Sequence, residues 1–130
     1  MSMPQPAEWS FAATIPAKDL ERTRRFYEDV LGAQAVTEDP GGIIYRSGDS
    51  YFSLYPTEHA GTAEHTLGAF MVRDVEATMA ELRGKGVTFE DYDLPGLKTV
   101  NGIADLGGMR GAWFKDPEGN ILSVIEPPAT

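Results

Sequence analysis

Lys18-Asp19-Leu20-Glu21-Arg22-Thr23 returns as Arg73-Asp74-Val75-Glu76-Ala77-Thr78, a displacement of 55 along a chain of 130 residues. Gly32 and Gly86 then close the two segments that follow, and each glycine leads into a short β-like run ending in acids, Ala33 to Asp39 and Val87 to Asp91. Landmarks repeated in the same order point to an internal duplication.

Each copy has the same physical grammar. A strand-length apolar run, Phe11 to Pro16 or Leu67 to Val72, precedes the acid. Asp19 and Asp74 stand where a helix N-cap accepts hydrogen bonds from free backbone N–H groups, and Glu21 and Glu76 add negative charge at the positive end of the helix dipole. Leu20, Tyr27 and Leu31 fall on one helical face, widened by Phe26 and Val30. Val75, Met79 and Leu82 do the same in the second copy. Gly32, and Gly84 or Gly86, supply the residue that ends each helix.

Strands follow each helix. Ile43 to Ser47 and Tyr51 to Tyr55 flank Gly48-Asp49, a tight hairpin turn. Gly111 to Lys115 and Ile121 to Glu126 flank Asp116-Pro117-Glu118-Gly119-Asn120, in which proline and glycine set the turn. The order strand, helix, three strands, twice over, predicts an α+β fold of two tandem βαβββ modules, the first at about residues 9–56, a linker at 57–65, and the second at about 66–127, together forming one domain over 1–130. From Gly42 to Gly111 the displacement has grown to 69, so the second module carries about fourteen extra residues. They fall in the Gly- and Pro-rich stretch Tyr92 to Gly108. Gly107-Gly108 reads there as a hairpin turn after a strand Ile103–Leu106, and Asp93 to Asn101 as an excursion of the preceding strand, a candidate lid or contact loop.

Composition bounds the function. With no cysteine there is no disulfide framework, thiolate metal site or cysteine nucleophile, which suits a reducing cytoplasm. Met1 to Glu8 holds two prolines and no basic run, so it does not read as a secretory leader, and no apolar stretch is long enough for a membrane span. The net charge of −9 opposes a nucleic-acid partner and favours cationic small molecules. Nucleophile-elbow, phosphate-loop and dinucleotide spacings are missing.

Lys18-Asp19-Leu20, Arg25-Phe26-Tyr27, Val30-Leu31-Gly32, Val72-Arg73-Asp74-Val75 and Phe114-Lys115-Asp116-Pro117-Glu118-Gly119-Asn120 together resemble the vicinal oxygen chelate superfamily of glyoxalases, bleomycin-resistance proteins and extradiol dioxygenases. The resemblance implies modules forming a cupped sheet with helices on the outside, and a homodimer. It also implies four metal-ligand positions, one on each of four strands, which carry over to Ala12, Ser53, Leu67 and Ser123. None of these side chains is an imidazole or carboxylate, so the expectation is no metal and no cofactor.

Alternation along the strands leaves Ala12, Thr14, Tyr51, Ser53, Tyr55, Leu67, Ala69, Met71, Ile121, Ser123 and Ile125 on the inner face, with Trp113 joining them if its strand keeps parity. His65, two residues before Leu67, would share that face at the rim, while His59 lies in the linker near Glu58 and Glu64. The ligand-binding candidates are therefore Tyr51, Ser53, Tyr55, His65, Met71, Trp113 and Ser123. The expected function is metal-independent binding of a small aromatic or cationic molecule in the cup. One alternative is a glyoxalase-type lyase or dioxygenase, with relocated ligands or with His65 or a tyrosine as a metal-free catalyst. Another is a protein-interaction module contacting its partner through Asp93–Asn101.

Overall fold

The computed structural model describes residues 11–128. The stretch Met1 to Glu8 and the expected start of the first module at residue 9 lie outside them. The element order is β1 (Ala13–Ala17), α1 (Leu20–Arg25), β2 (Gln34–Asp39), β3 (Gly42–Ser47), β4 (Ser50–Pro56), β5 (Thr66–Met71), α2 (Val75–Gly84), β6 (Asp93–Leu94), β7 (Leu97–Lys98), β8 (Ala104–Leu106), β9 (Met109–Lys115) and β10 (Ile121–Glu126). Two four-stranded sheets result, ordered β1-β4-β3-β2 and β5-β10-β9-β8, and in each the first strand pairs parallel with the last. The duplication is thus a duplication of topology. No helix of the described residues is long and apolar enough to cross a membrane.

The repeated acids cap as their position predicts. Asp19 Oδ1 accepts from the Arg22 N–H at 3.1 Å and Asp74 Oδ1 from the Ala77 N–H at 3.0 Å, each cap contributing about 1 kcal/mol. Gly32 and Gly86 sit at φ +74° and +95°, so Gly86 rather than Gly84 supplies the left-handed residue beyond the second helix. The first helix departs from the regular periodicity expected of it. Phe26–Val30 forms a π-helical turn in which the Leu31 N–H donates to the Phe26 carbonyl at 3.1 Å. Phe26 and Tyr27 both pack inward through it, against Phe114 and Tyr45.

Between the helices and the sheets lies one apolar cluster that runs through both modules. Phe52 meets Phe70 edge-on with ring centroids 6.2 Å apart, and the Phe26 ring lies 6.3 Å from that of Phe114. A buried polar lock reinforces this seam. The Tyr27 hydroxyl donates to Asp116 Oδ2 at 2.7 Å, Asn120 Nδ2 donates to the Pro16 carbonyl at 2.9 Å, and Glu118 Oε2 accepts from the Asp19 N–H and Thr23 Oγ1, both at 2.8 Å. The linker joins the same lock. The Gly61 N–H donates to Asn120 Oδ1 at 3.1 Å, and a Cβ on Gly61 would sit 2.0 Å from the Glu118 carbonyl oxygen.

The insertion lies where the sequence places it, with one change. Val87 to Asp91 contributes only an isolated bridge, Phe89 to Phe114, rather than a strand. The chain then leaves the sheet through the small β6–β7 hairpin and rejoins it at β8. Gly107 and Gly108 turn β8 into β9 with φ of +67° and +94°.

Candidate functional site

Alternation divides β4 sharply. Phe52 and Leu54 are buried against the helix side, while Tyr51 and Tyr55 on the opposite face remain 50% and 36% exposed, with Ser53 half-buried between them. Thr14 of β1 and Ile44 of β3 flank Ser53 in register. The result is an open platform of two rings and two hydroxyls on a rigid strand. Its charged neighbour is a cation, because Arg46 pairs with Tyr51. The net negative charge of the chain is therefore not focused here: Glu28 and Glu38 are bound to Arg24 on the helix side, at 2.9 Å each.

The equivalent face of the second sheet is more filled. Ser123 pairs with Trp113 and with Ala69, and Ile125 with Gly111 and Met71, so Trp113 does share the inner face. Trp113 is only 7% exposed and covers a floor in which Ser123 is 2% exposed. Its indole N–H donates to Thr66 Oγ1 at 3.1 Å, and Tyr92 abuts it edge-on at 5.7 Å. Gly111 makes room for it, since a Cβ there would lie 2.7 Å from Ile125 Cδ1 and 3.4 Å from the indole. Met71, at the end of β5, is 68% exposed.

Among the described residues the seven candidates line separate clefts or none. Tyr51 lines a cleft of about 200 Å³ with Phe52 and Phe70, and Met71 lines clefts of about 490 and 320 Å³ along the module seam. His65 is exposed, with Nδ1 3.1 Å from the Thr66 carbonyl. A bulge explains its position: Thr66 pairs with Ile121 and Gly68 with Leu122, so strict alternation breaks at Leu67. Thr66, which sequence reasoning passed over, is thereby turned to the inner face.

Donor chemistry at the four carried-over ligand positions does not fit a divalent metal. Ala12 precedes β1, Leu67 sits in the bulge, and Ser53 and Ser123 offer only hydroxyls. Among the described residues no group of three or more His, Asp or Glu side chains converges to hold an ion.

Strongly perturbed ionisable groups lie on the other side of the sheets. Burial, then the Asp116 carboxylate, holds the Tyr27 phenol far above its ordinary value, so it stays a donor. Tyr45 is raised by burial and by Glu28, whose Oε2 accepts from its hydroxyl at 2.6 Å. Burial opposes ionisation of Glu118, but the donors from Asp19 and Thr23 prevail and hold its carboxyl below the usual range. The Tyr27–Asp116 bond and the bonds to Glu118 tie the modules together, while the Tyr45–Glu28 bond lies within the first. Sequence reasoning read the Asp116–Asn120 segment as a turn and as part of a family motif, not as a lock between modules. The three polar side chains packed into it, Asp116, Glu118 and Asn120, were the available signal.

The family model of the Glyoxalase/Bleomycin resistance protein/Dioxygenase superfamily matches residues 11–124. The chain belongs to this superfamily. Solved structures agree on the fold. A candidate glyoxalase-family protein from Bacillus anthracis superposes with a TM-score of 0.75 at 18% identity, over 96% of this chain and 99% of the other. TnmS3, an antibiotic binding protein from Streptomyces sp. CB03234, gives 0.71 at 20% identity over 98% of each chain. Lactoylglutathione lyase from Agrobacterium tumefaciens gives 0.66 at 20% identity over 95% of each. A search of curated proteins finds no match to this sequence. This superfamily membership agrees with the motifs quoted from the sequence, and the scaffold serves lyases and binders alike, so activity has to come from the site.

Proposed function

We propose that the chain is a metal-independent binder of small planar aromatic molecules, held on the Tyr51–Ser53–Tyr55 platform. The observation that carries this reading is a pair of tyrosine rings left open to solvent on a rigid strand whose alternate residues are fully buried. Stacking on such rings contributes about 0.5–1.5 kcal/mol per contact, and Thr14 and Ser53 add hydroxyls for orientation. Met71 borders the second sheet's share of the face, with Trp113 and Ser123 as its buried floor. The antibiotic binding protein among the similar structures is in keeping with a binder, while the choice over a catalyst rests on the platform. Arg46 beside Tyr51 favours neutral or anionic rings over the cations that the net charge alone suggests.

Tyr51, Tyr55, Ile44 and Met71 form an exposed apolar face. A second copy of this chain laid over it would turn the platform into an enclosed pocket. Sedimentation that finds only monomers would remove that part of the proposal.

The test is a thermal-shift panel of neutral, anionic and cationic planar aromatics, run with a chelator. A ligand at a hundredfold its Kd stabilises by about 2.7 kcal/mol. Binding should persist in the chelator and vanish in the double variant Tyr51→Ala/Tyr55→Ala, whose exposed positions leave folding intact. The competing lyase reading, which the Agrobacterium relative brings to mind, requires stoichiometric metal in protein purified without chelator.

A further inference from the structure

A groove of about 640 Å³ opens between α2 and the inserted excursion. It lies on the helix side of the second sheet, remote from the Tyr51–Tyr55 platform. One wall is Glu76, Met79 and Arg83, at helical spacing along α2, and the other is Lys98, Val100, Asn101 and Ile103. The first module has no counterpart, because it lacks the insertion.

The excursion wall is built rather than loose. Asp91 Oδ1 accepts from Thr99 Oγ1 and from the Gly102 N–H, both at 3.1 Å, and Val100 and Ile103 exchange backbone hydrogen bonds at 2.8 and 3.1 Å. Gly102, at φ +81°, packs so closely that a Cβ would lie 3.0 Å from Met79 Cε. Asn101 is the only non-glycine among the described residues with positive φ, and it lines the groove.

Charge distinguishes this groove from the rest of the molecule. Three cations, Arg83, Lys98 and Arg110, meet only two acids, Glu76 and Asp105, in a chain whose net charge is −9. Glu76 pairs with Arg110, and Asp105 Oδ1 accepts from the Gly108 N–H at 3.1 Å. Arg83 stacks on the Phe89 ring at 5.3 Å, and neither it nor Lys98 has a carboxylate partner among the described residues. The lining therefore carries a net charge of +1, with Arg83 and Lys98 facing an apolar surface of Met79, Val100 and Ile103.

We propose that this groove is a second ligand site that takes a small organic anion, a carboxylate or phosphate monoester carried on an apolar or aromatic body. The anionic head lies between Arg83 and Lys98, and the body covers Met79, Val100 and Ile103. The site is independent of the platform reading above.

Nitrogen-15 amide-shift titrations of the full chain with benzoate, phenyl phosphate and neutral benzyl alcohol test it. Benzoate or phenyl phosphate should give saturable shifts at Lys98–Ile103 and along α2, the tighter of the two identifying the head group. Benzyl alcohol should bind at least about tenfold more weakly, and added salt should weaken the anions. Lys98→Gln, at an exposed position, should weaken anion binding about tenfold while the spectrum stays folded. Absent saturation, equal binding of benzyl alcohol, indifference to Lys98→Gln, or shifts centred on Tyr51 and Tyr55 would each overturn the assignment.

Discussion

Replacing Tyr27 with Phe removes one oxygen from a position that water does not reach, since Tyr27 is fully buried. The lost bond runs from the first module to the second, donated to Asp116 Oδ2 at 2.7 Å. A hydrogen bond to a buried carboxylate contributes about 1.5–3 kcal/mol. Asp116 keeps three other donors, the Glu118 and Asn120 N–H groups and Asn120 Nδ2, at 2.9, 3.0 and 2.9 Å. The remaining satisfaction places the expected loss near the lower part of that range, at about 2 kcal/mol. Unfolding entropy for 130 residues is about 0.27 kcal/mol per kelvin, so Tm should fall by about 7 °C. Scanning calorimetry reads this directly. A double-mutant cycle with Asp116→Asn should return a coupling of at least about 1 kcal/mol. A Tm change under about 2 °C, with no coupling, would refute the idea that this bond holds the modules together.

Two further outcomes follow from the packing. Trp113→Ala should cost roughly 3–5 kcal/mol in urea unfolding with no ligand present, because the ring is a buried wall as well as a candidate contact; a loss under about 1 kcal/mol would contradict its placement. Tyr27 and Tyr45 both have phenols raised well above their ordinary value of about 10 by burial and a carboxylate partner. The unfolded chain releases those protons above about pH 10 while the native chain retains them. Stability should therefore be intact below pH 10 and fall above it, by up to about 1.4 kcal/mol per pH unit for each tyrosine; Tyr27→Phe should reduce that slope in alkaline denaturation curves.

Much of the fold was legible because its signals are local. Asp19 and Asp74 announce helix starts by capping, Gly48 and the Gly107-Gly108 pair announce turns by positive φ, and the growth in displacement locates the insertion. Less legible was anything set by contact between distant segments. The π-helical turn at Phe26–Val30 accompanies the burial of Tyr27 at Asp116, 89 residues away. The bulge at Thr66–Leu67 depends on pairing with β10, and it breaks the alternation by which His65 was aligned with the inner face. The shared face of Tyr51, Ser53 and Tyr55 and the inward parity of Trp113 follow the alternation because those strands pair without interruption. Which faces stay open depends on how the two sheets lean on each other, and no local pattern encodes that.

The most direct measurement on the platform is amide-shift mapping with a neutral planar probe, 2-naphthol, in the presence of a chelator. Metal-free stacking predicts saturable shifts at Thr14, Tyr51, Ser53 and Tyr55, unchanged by the chelator and lost in Tyr51→Ala/Tyr55→Ala. Unmoved resonances on β4, or binding that appears only when a divalent metal is added, would contradict it.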